Sequence, residues 1–303
     1  MPCSLSATLT AACSSGIGKL NNRVGLLKVI AQTFASRLPS SLSSDLSQIL
    51  SRACTSGIGK ENNPLTLLRI IAQNICNQNS GNEAMVVTEL ASAISSATLP
   101  TYSTDTAYQP APNSLVLAFV MMNRAGSGNA IPSFSGNGVT WEVIDSVSYS
   151  TGGINRCMGV LRALDKAPVS GVGTVDWGRL DITGSFIRII QVTNVKTSGT
   201  NGSGAIAQTI NGGTTGANPT ITLTNPINTN GLNSVFGVSD CNSAAPYGAS
   251  PEAGWSTLFD SGTSSTGIFG TYALNTTDQS VNLTKAASAI YRMIAFEVNS
   301  INS

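Results

Sequence analysis

The chain of 303 residues has no histidine at all, and only 10% of its residues are charged. The first absence removes the commonest general base and the commonest metal ligand together. The second leaves a surface well below the roughly 25% charge of an average soluble chain. Ser, Thr, Asn and Gly fill the deficit, which suits a protein packed against neighbours or displayed on an assembly. The net charge of +1 comes without any basic run. Nothing is therefore placed to neutralise a row of phosphates, and nucleic-acid binding is not expected. The cysteines Cys3, Cys13, Cys54, Cys76, Cys157 and Cys241 contain no C-x-x-C pair and are too scattered for a disulfide framework. Buried reduced thiols and a reducing folding compartment are the expectation. Met1-Pro2-Cys3-Ser4-Leu5 lacks the basic start and apolar core of a signal peptide. The longest apolar stretch, Leu115 to Met122, is far too short to span a bilayer, so no membrane insertion is expected.

Against these absences stands an internal repeat. Ala12-Cys13-Ser14-Ser15-Gly16-Ile17-Gly18-Lys19 recurs 41 residues later as Ala53-Cys54-Thr55-Ser56-Gly57-Ile58-Gly59-Lys60. The match runs on without a gap to Gln32 and Gln73. Each copy reads as helix, turn, helix. Leu42, Leu46, Ile49, Leu50 and Ala53 fall at helical spacing, and Gly57 sits where a helix end favours a left-handed residue. Asn63-Pro64 then starts a second helix with Leu67, Leu68, Ile71 and Ile75 on its apolar face. A third, partial helix is predicted over 84–94, with Val87, Leu90, Ala91 and Ile94 on one side. Residues 1–97 are thus expected to be tandem helical hairpins acting as an attachment or oligomerisation segment. The turns Gly16, Ile17, Gly18, Lys19 and Gly57, Ile58, Gly59, Lys60 are the candidate docking residues. They are not phosphate loops, because Leu20 and Glu61 stand where a Ser or Thr is required.

The proline-bearing residues 98–113 read as an extended connector. From Ser114 the pattern changes to short apolar runs separated by Gly, Asn, Ser and Thr clusters. Strands are predicted at 115–121, 140–147, 157–163, 173–177, 186–192, 205–210, 220–223, 234–238, 256–259, 267–274, 280–283 and 291–298. The fold class expected is mainly β with a small α-helical N-terminal segment: an antiparallel, jelly-roll-like sandwich over 114–303. Trp141, Trp177 and Trp255 are expected to anchor its core. Asn113-Ser114-Leu115-Val116 echoes Asn233-Ser234-Val235-Phe236, Trp141 echoes Trp255, and Arg188 echoes Arg292. This fits two similar halves facing each other in one sandwich, with two small tandem domains as the alternative.

Four stretches carry a family resemblance: Gly136-Asn137-Gly138-Val139-Thr140-Trp141, Leu161-Arg162-Ala163, Ser198-Gly199-Thr200-Asn201-Gly202-Ser203-Gly204-Ala205 and Ala253-Gly254-Trp255. Over residues 110–298 the chain resembles β-sandwich modules of phage and prophage structural genes. The helical repeat is similar to leaders on phage virion proteins, including those of cyanophages. The resemblance implies a virion component on capsid, neck or tail, assembled in the host cytoplasm, whose partners are other virion proteins and copies of itself. It supplies no catalytic residue, cofactor or metal.

An enzyme would need a carboxylate pair or an activated nucleophile. Glu142, Asp145, Asp176, Asp181, Asp260 and Glu297 are available, but no spacing singles out two of them, and no enzyme is expected. The competing reading is a receptor- or carbohydrate-binding module of a tail fibre or tip, binding a host surface glycan through Tyr149, Tyr247 or Trp255 with Asn-rich loops. No D-x-D-x-D run supports calcium.

Overall fold

The computed structural model describes residues 84–125, 130–228, 232–243, 246–285, 289–301 and 303. The helical repeat with its two Gly-Ile-Gly-Lys turns lies outside them. The described residues belong to one compact unit, Glu83–Ser303, made of antiparallel strands.

The first eight strands are β1 (Val86–Ser95), β2 (Thr101–Ser103), β3 (Leu115–Ala125), β4 (Ser133–Ser135), β5 (Glu142–Thr151), β6 (Ile154–Ala163), β7 (Thr174–Asp176) and β8 (Ile182–Thr193). The next eight are β9 (Ile206–Gly216), β10 (Thr220–Thr222), β11 (Ser234–Cys241), β12 (Ala249–Pro251), β13 (Ser256–Gly262), β14 (Gly267–Ala273), β15 (Ser280–Lys285) and β16 (Ala289–Val298). Sheet order is β1-β8-β3-β6-β5 with β2-β7-β4 in the first set, and β9-β16-β11-β14-β13 with β10-β15-β12 in the second. Adding eight to every strand of the first set reproduces the second. The β region is an internal duplication.

Register carries the equivalence to single residues. A bulge falls between Val143 and Asp145 in β5 and at the matching place, between Thr257 and Phe259, in β13. Asn113 and Leu232, each two residues before its strand, take positive φ angles of 58° and 49°. Gln191 and Glu297 each accept a backbone N–H from the preceding loop, from Ala111 at 3.0 Å and Asn228 at 3.1 Å. Trp141 and Trp255 each stand immediately before the bulged strand. The sequence echo was therefore placed correctly but one residue out of register. Leu115 faces the same core as Phe236, whereas Val235 faces the opposite one, and a one-residue slip in a strand exchanges its faces. The arginine echo fails by two residues, which keeps the face but not the position, since strand pairing makes Phe186, not Arg188, the counterpart of Arg292.

The two five-stranded sheets face each other over a central core of Leu115, Leu117, Phe119, Met121, Phe186, Phe236, Phe259 and Phe296. Each also covers a three-stranded sheet on its other side. Val116, Ala118, Val120, Leu161 and Trp177 fill one outer core; Val235, Phe269, Val281, Leu283 and Tyr291 fill the other. Four layers result, and both faces of the middle sheets are buried. This explains why β3 is a continuous apolar run, Leu-Val-Leu-Ala-Phe-Val-Met-Met, and not an alternating one. Of the expected core tryptophans, Trp177 is fully enclosed, while Trp141 and Trp255 pack half-buried on the rims of the outer cores.

Two boundaries need correction. The segment 84–94, expected to be helical, contains strand β1, paired with β8 from Val86↔Thr193 to Ser95↔Ser185. Its apolar residues imitate a helical period because Leu90 is the extra residue of a bulge between Glu89 and Ala91. The inward face thereby passes from Val87 to the other side at Ala91 and Ala93. Residues 98–113, expected to be a connector, supply β2 and bury Tyr102 and Tyr108 in the first outer core.

Candidate functional site

Most side chains that a sequence reading could nominate for chemistry are already engaged. Glu142 pairs with Arg162 at 3.2 Å and accepts from Asn201 at 3.0 Å. Asp145 accepts from Thr209 at 3.1 Å and Asn211 at 2.7 Å, both on the edge strand of the second repeat. Asp176 caps the N–H of Gly178, and Asp181 holds Arg124 at 2.6 Å. Asp260 accepts the N–H groups of Tyr247 and Gly248. Buried Glu297 takes the Asn228 N–H, the Asn233 amide and the Gln208 amide. Each of these six carboxylates is thus held by its own set of donors.

The aromatic residues proposed for glycan stacking are also placed. Tyr149 and Tyr247 are buried at 7% and 0% exposure, which removes them as a displayed platform. Trp255 is half-buried, with its indole N–H donating to Asp278 at 3.2 Å. The Gly136-Asn137-Gly138 motif is a structural plug. The Asn137 side-chain amide donates to the carbonyls of Tyr108, Val169 and Gly171 at 2.6, 3.3 and 3.1 Å. At Gly136, φ is 130° and a Cβ would lie 2.3 Å from the Val172 carbonyl oxygen, so only glycine fits. The described thiols, Cys157 and Cys241, are free and buried, and burial pushes both up. Among the described residues no three His, Cys, Asp or Glu side chains gather as a metal site, and no helix is long and apolar enough to cross a membrane.

Two features remain. One is a groove of about 360 Å³ where β1 leaves the first five-stranded sheet and β2 enters the small one. Ile94, Leu99, Thr101, Tyr102, Asp105 and Ile187 line it. Ile94 and Leu99 present apolar surface, while Thr101 and Asp105 supply polar groups at the rim.

The other is the polar end of the layer between the repeats. Here the inward positions that carry Phe and Leu elsewhere carry Asn123, Tyr149, Arg156, Asp240, Thr266 and Arg292. Thr266 donates to Asn123 Oδ1 at 2.6 Å, and Asn123 donates to Thr263 and Ser265. Arg156 donates through Nε to Thr266 at 2.7 Å and through Nη2 to the Ser265 carbonyl at 2.9 Å. Strand register makes Arg156 and Thr266 equivalent positions of the two repeats. Their meeting is what an approximate two-fold relation produces. The Tyr149 ring lies between two guanidinium groups, Arg156 at 5.6 Å and Arg292 at 4.9 Å from its centroid. Asp240 is fully buried, and neither its carboxylate oxygens nor the Tyr149 hydroxyl has a hydrogen-bond partner. Burial pushes the Asp240 carboxyl up to about 7, and the charges of Arg156 and Arg292 offset only part of that cost. Nearby backbone N–H groups of Arg292 and Asp240 itself act in the same sense as the arginines. Burial also raises the Tyr149 phenol.

Asp240 and Arg156 were not singled out by the sequence reading, because the predicted strands stopped at Val238 and began at Cys157. The signal was there. Phe236, Val238 and Asp240 continue one inward period of two, as do Met158 and Arg156 in the reverse direction.

No protein-family model matches this chain, and no curated protein matches it.

Proposed function

We propose that the protein is a structural component of a bacteriophage virion, in which the duplicated β block is a rigid displayed or cementing module. Each repeat interleaves its strands, with 1, 8, 3, 6 and 5 in one sheet and 2, 7 and 4 in the other, and this order supports a jelly-roll-like reading. Viral capsid proteins and lectins both use that architecture. The observation that carries the reading is the back-to-back packing of the repeats. It turns the face that many sandwiches leave to solvent into a central core, and it places two small sheets on opposite sides of one stiff body. The carboxylates are tied into loops and ion pairs, which favours a building block over a reaction site. Docking through the N-terminal repeat, including the turns at Gly16–Lys19 and Gly57–Lys60, is part of the proposal. Fold alone does not set function, so the test is direct. Particles purified on a density gradient are analysed by mass spectrometry and immunogold labelling. Stoichiometric protein on capsid, neck or tail is the expected result, and protein confined to the soluble lysate overturns it.

The groove between β1 and β2 favours a second reading, a receptor- or glycan-binding module, because it joins apolar side chains to hydroxyl and carboxylate groups in a concave site. Saturable binding on a glycan array, lost in Asp105→Ala, would move the function to that groove.

A further inference from the structure

We propose that Asp240, enclosed between the two repeats, is a proton-controlled latch on their seam: protonated, it lets the polar end of the layer close, and ionised, it loosens that end.

The argument rests first on position. Asp240 lies on β11, opposite Arg292 of β16 and Ile268 of β14, and its side chain faces the first repeat. Across the layer Tyr149 comes from β5 and Arg156 from β6. Behind it, on the other face of its sheet, are Cys241 on its own strand, Tyr247 from the β11–β12 loop and Lys285 from β15, whose ammonium donates to the Tyr247 carbonyl. Cys157 of β6 lies within electrostatic range from the far side. The two thiols and two phenols are all raised by burial and stay neutral near pH 7. Asp240 therefore faces two permanent cations, Arg156 and Arg292, without a hydrogen bond to either guanidinium group. Arg156 directs its donors to Thr266 and to carbonyls of Thr151, Ile154 and Ser265. A fully buried carboxylate that meets no side-chain donor, only weak contact with the backbone N–H groups of Arg292 and its own residue, is a costly state for this group. A proton removes the charge and gives the carboxyl a donor of its own.

The direction of control follows from linkage. The group's ordinary value is 3.8 and the folded protein raises it to about 7. Between those values the unfolded chain has lost the proton while the folded chain keeps it. The stability contributed by Asp240 is therefore fully present below pH 4 and declines as pH rises toward 7. One proton changes the folded-to-unfolded ratio about tenfold per pH unit across that window, roughly a thousandfold in all.

The test uses the full chain. Urea unfolding from pH 4.5 to 8.5 should show the ratio falling by about tenfold per unit up to pH 7 in the native sequence, with that component absent in Asp240→Asn. Parallel curves for the two proteins overturn the proposal, as does a native ratio that rises over the same range. Should Asp240→Asn not fold, hydrogen exchange of the native chain at pH 5 and pH 8, corrected for intrinsic rates, decides the matter. Protection lost selectively in β6, β11 and β16 supports the latch, and uniform or unchanged protection sinks it.

Discussion

Phe259 and Gly270 form the most sharply testable contact in the central core. They are directly paired across β13 and β14, and the Phe259 ring folds over the glycine. A Cβ built on Gly270 would lie 2.5 Å from Cε1 of that ring, well inside any real contact. The ring has no free direction in which to retreat. Phe119 stands edge-on at 5.4 Å, Phe186 lies at 5.1 Å, and the Arg188 guanidinium sits 5.6 Å from its centroid. Gly270 is not in the left-handed region, so alanine meets only this steric obstacle. Gly270→Ala should therefore destabilise by about 1–3 kcal/mol through overpacking. Phe259→Ala should cost about 3–5 kcal/mol, as a buried Phe truncation does. With the ring gone, the alanine methyl enters empty space, and its smaller unfolded-state entropy returns about 0.4–1 kcal/mol. The double variant should then be slightly more stable than Phe259→Ala, giving a coupling energy of about 1.4–4 kcal/mol. Urea unfolding followed by tryptophan fluorescence measures all four corners of the cycle. Additive losses, or a neutral Gly270→Ala in the native background, would refute the packing argument.

Other outcomes follow from the same structure. Glu297→Ala strands an N–H and two amides in a buried site and should cost about 2–4 kcal/mol, whereas Glu142→Ala removes a half-exposed ion pair and should cost under about 1 kcal/mol in the same urea assay. Burial raises the phenols of Tyr108, Tyr149 and Tyr247 above their ordinary 10.0. Above pH 10 the unfolded chain therefore loses protons the folded one retains, and stability must fall. Phenolate absorbance should appear together with loss of the β circular-dichroism signal, and phenolate formation well before unfolding would contradict it. A chain beginning at Glu83 should fold as a β-rich body, while one beginning at Ser103 loses β1 and most of β2 and should aggregate, because β8 then becomes a long apolar edge. Light scattering and circular dichroism of the two chains separate these outcomes.

The twelve runs read as strands from the sequence coincide with β3, β5 to β11 and β13 to β16. Their signal is apolar burial over several residues, which a single sequence displays openly. The strands left unread are β2, β4 and β12, of three residues each. Length alone does not separate them, since β7 and β10 are equally short and were read; β2 lay inside the proline-bearing stretch read as a connector, and β4 and β12 lie between glycine-rich turns with no apolar run around them. The strand misread, β1, failed because its bulge converts alternation into something close to a helical spacing. The duplication was visible in the tryptophan pair but not in its register. The Asn-Ser echo before β3 and β11 sits at a turn, and a turn does not reveal which face of the following strand points inward.

The polar seam was missed for a different reason. The inward period of β11 runs on through Asp240, but a carboxylate at its end reads as a strand terminus, and its burial is completed by the partner repeat. The two halves share a backbone plan, yet equivalent quadrants of their interface hold unlike chemistry. Phe186 packs on Phe259 at one end, while at the other its counterpart Arg292 packs on Tyr149, beside the charge of Asp240. A symmetric, wholly apolar layer would let the halves slide or exchange between chains, because hydrophobic contact is non-directional. Placing Asn123, Arg156 and Thr266 at one end gives the layer a direction, since these groups find their partners in only one alignment. The cost of burying Asp240 is then the counterpart of a single docking register between the repeats, and Asp240→Leu should raise stability while loosening that register. Loss of chemical-shift dispersion for the methionine methyls of Met121 and Met158, with an unchanged or higher urea midpoint, is the expected signature. Retained dispersion in a more stable variant would mean that the aromatic end alone sets the alignment.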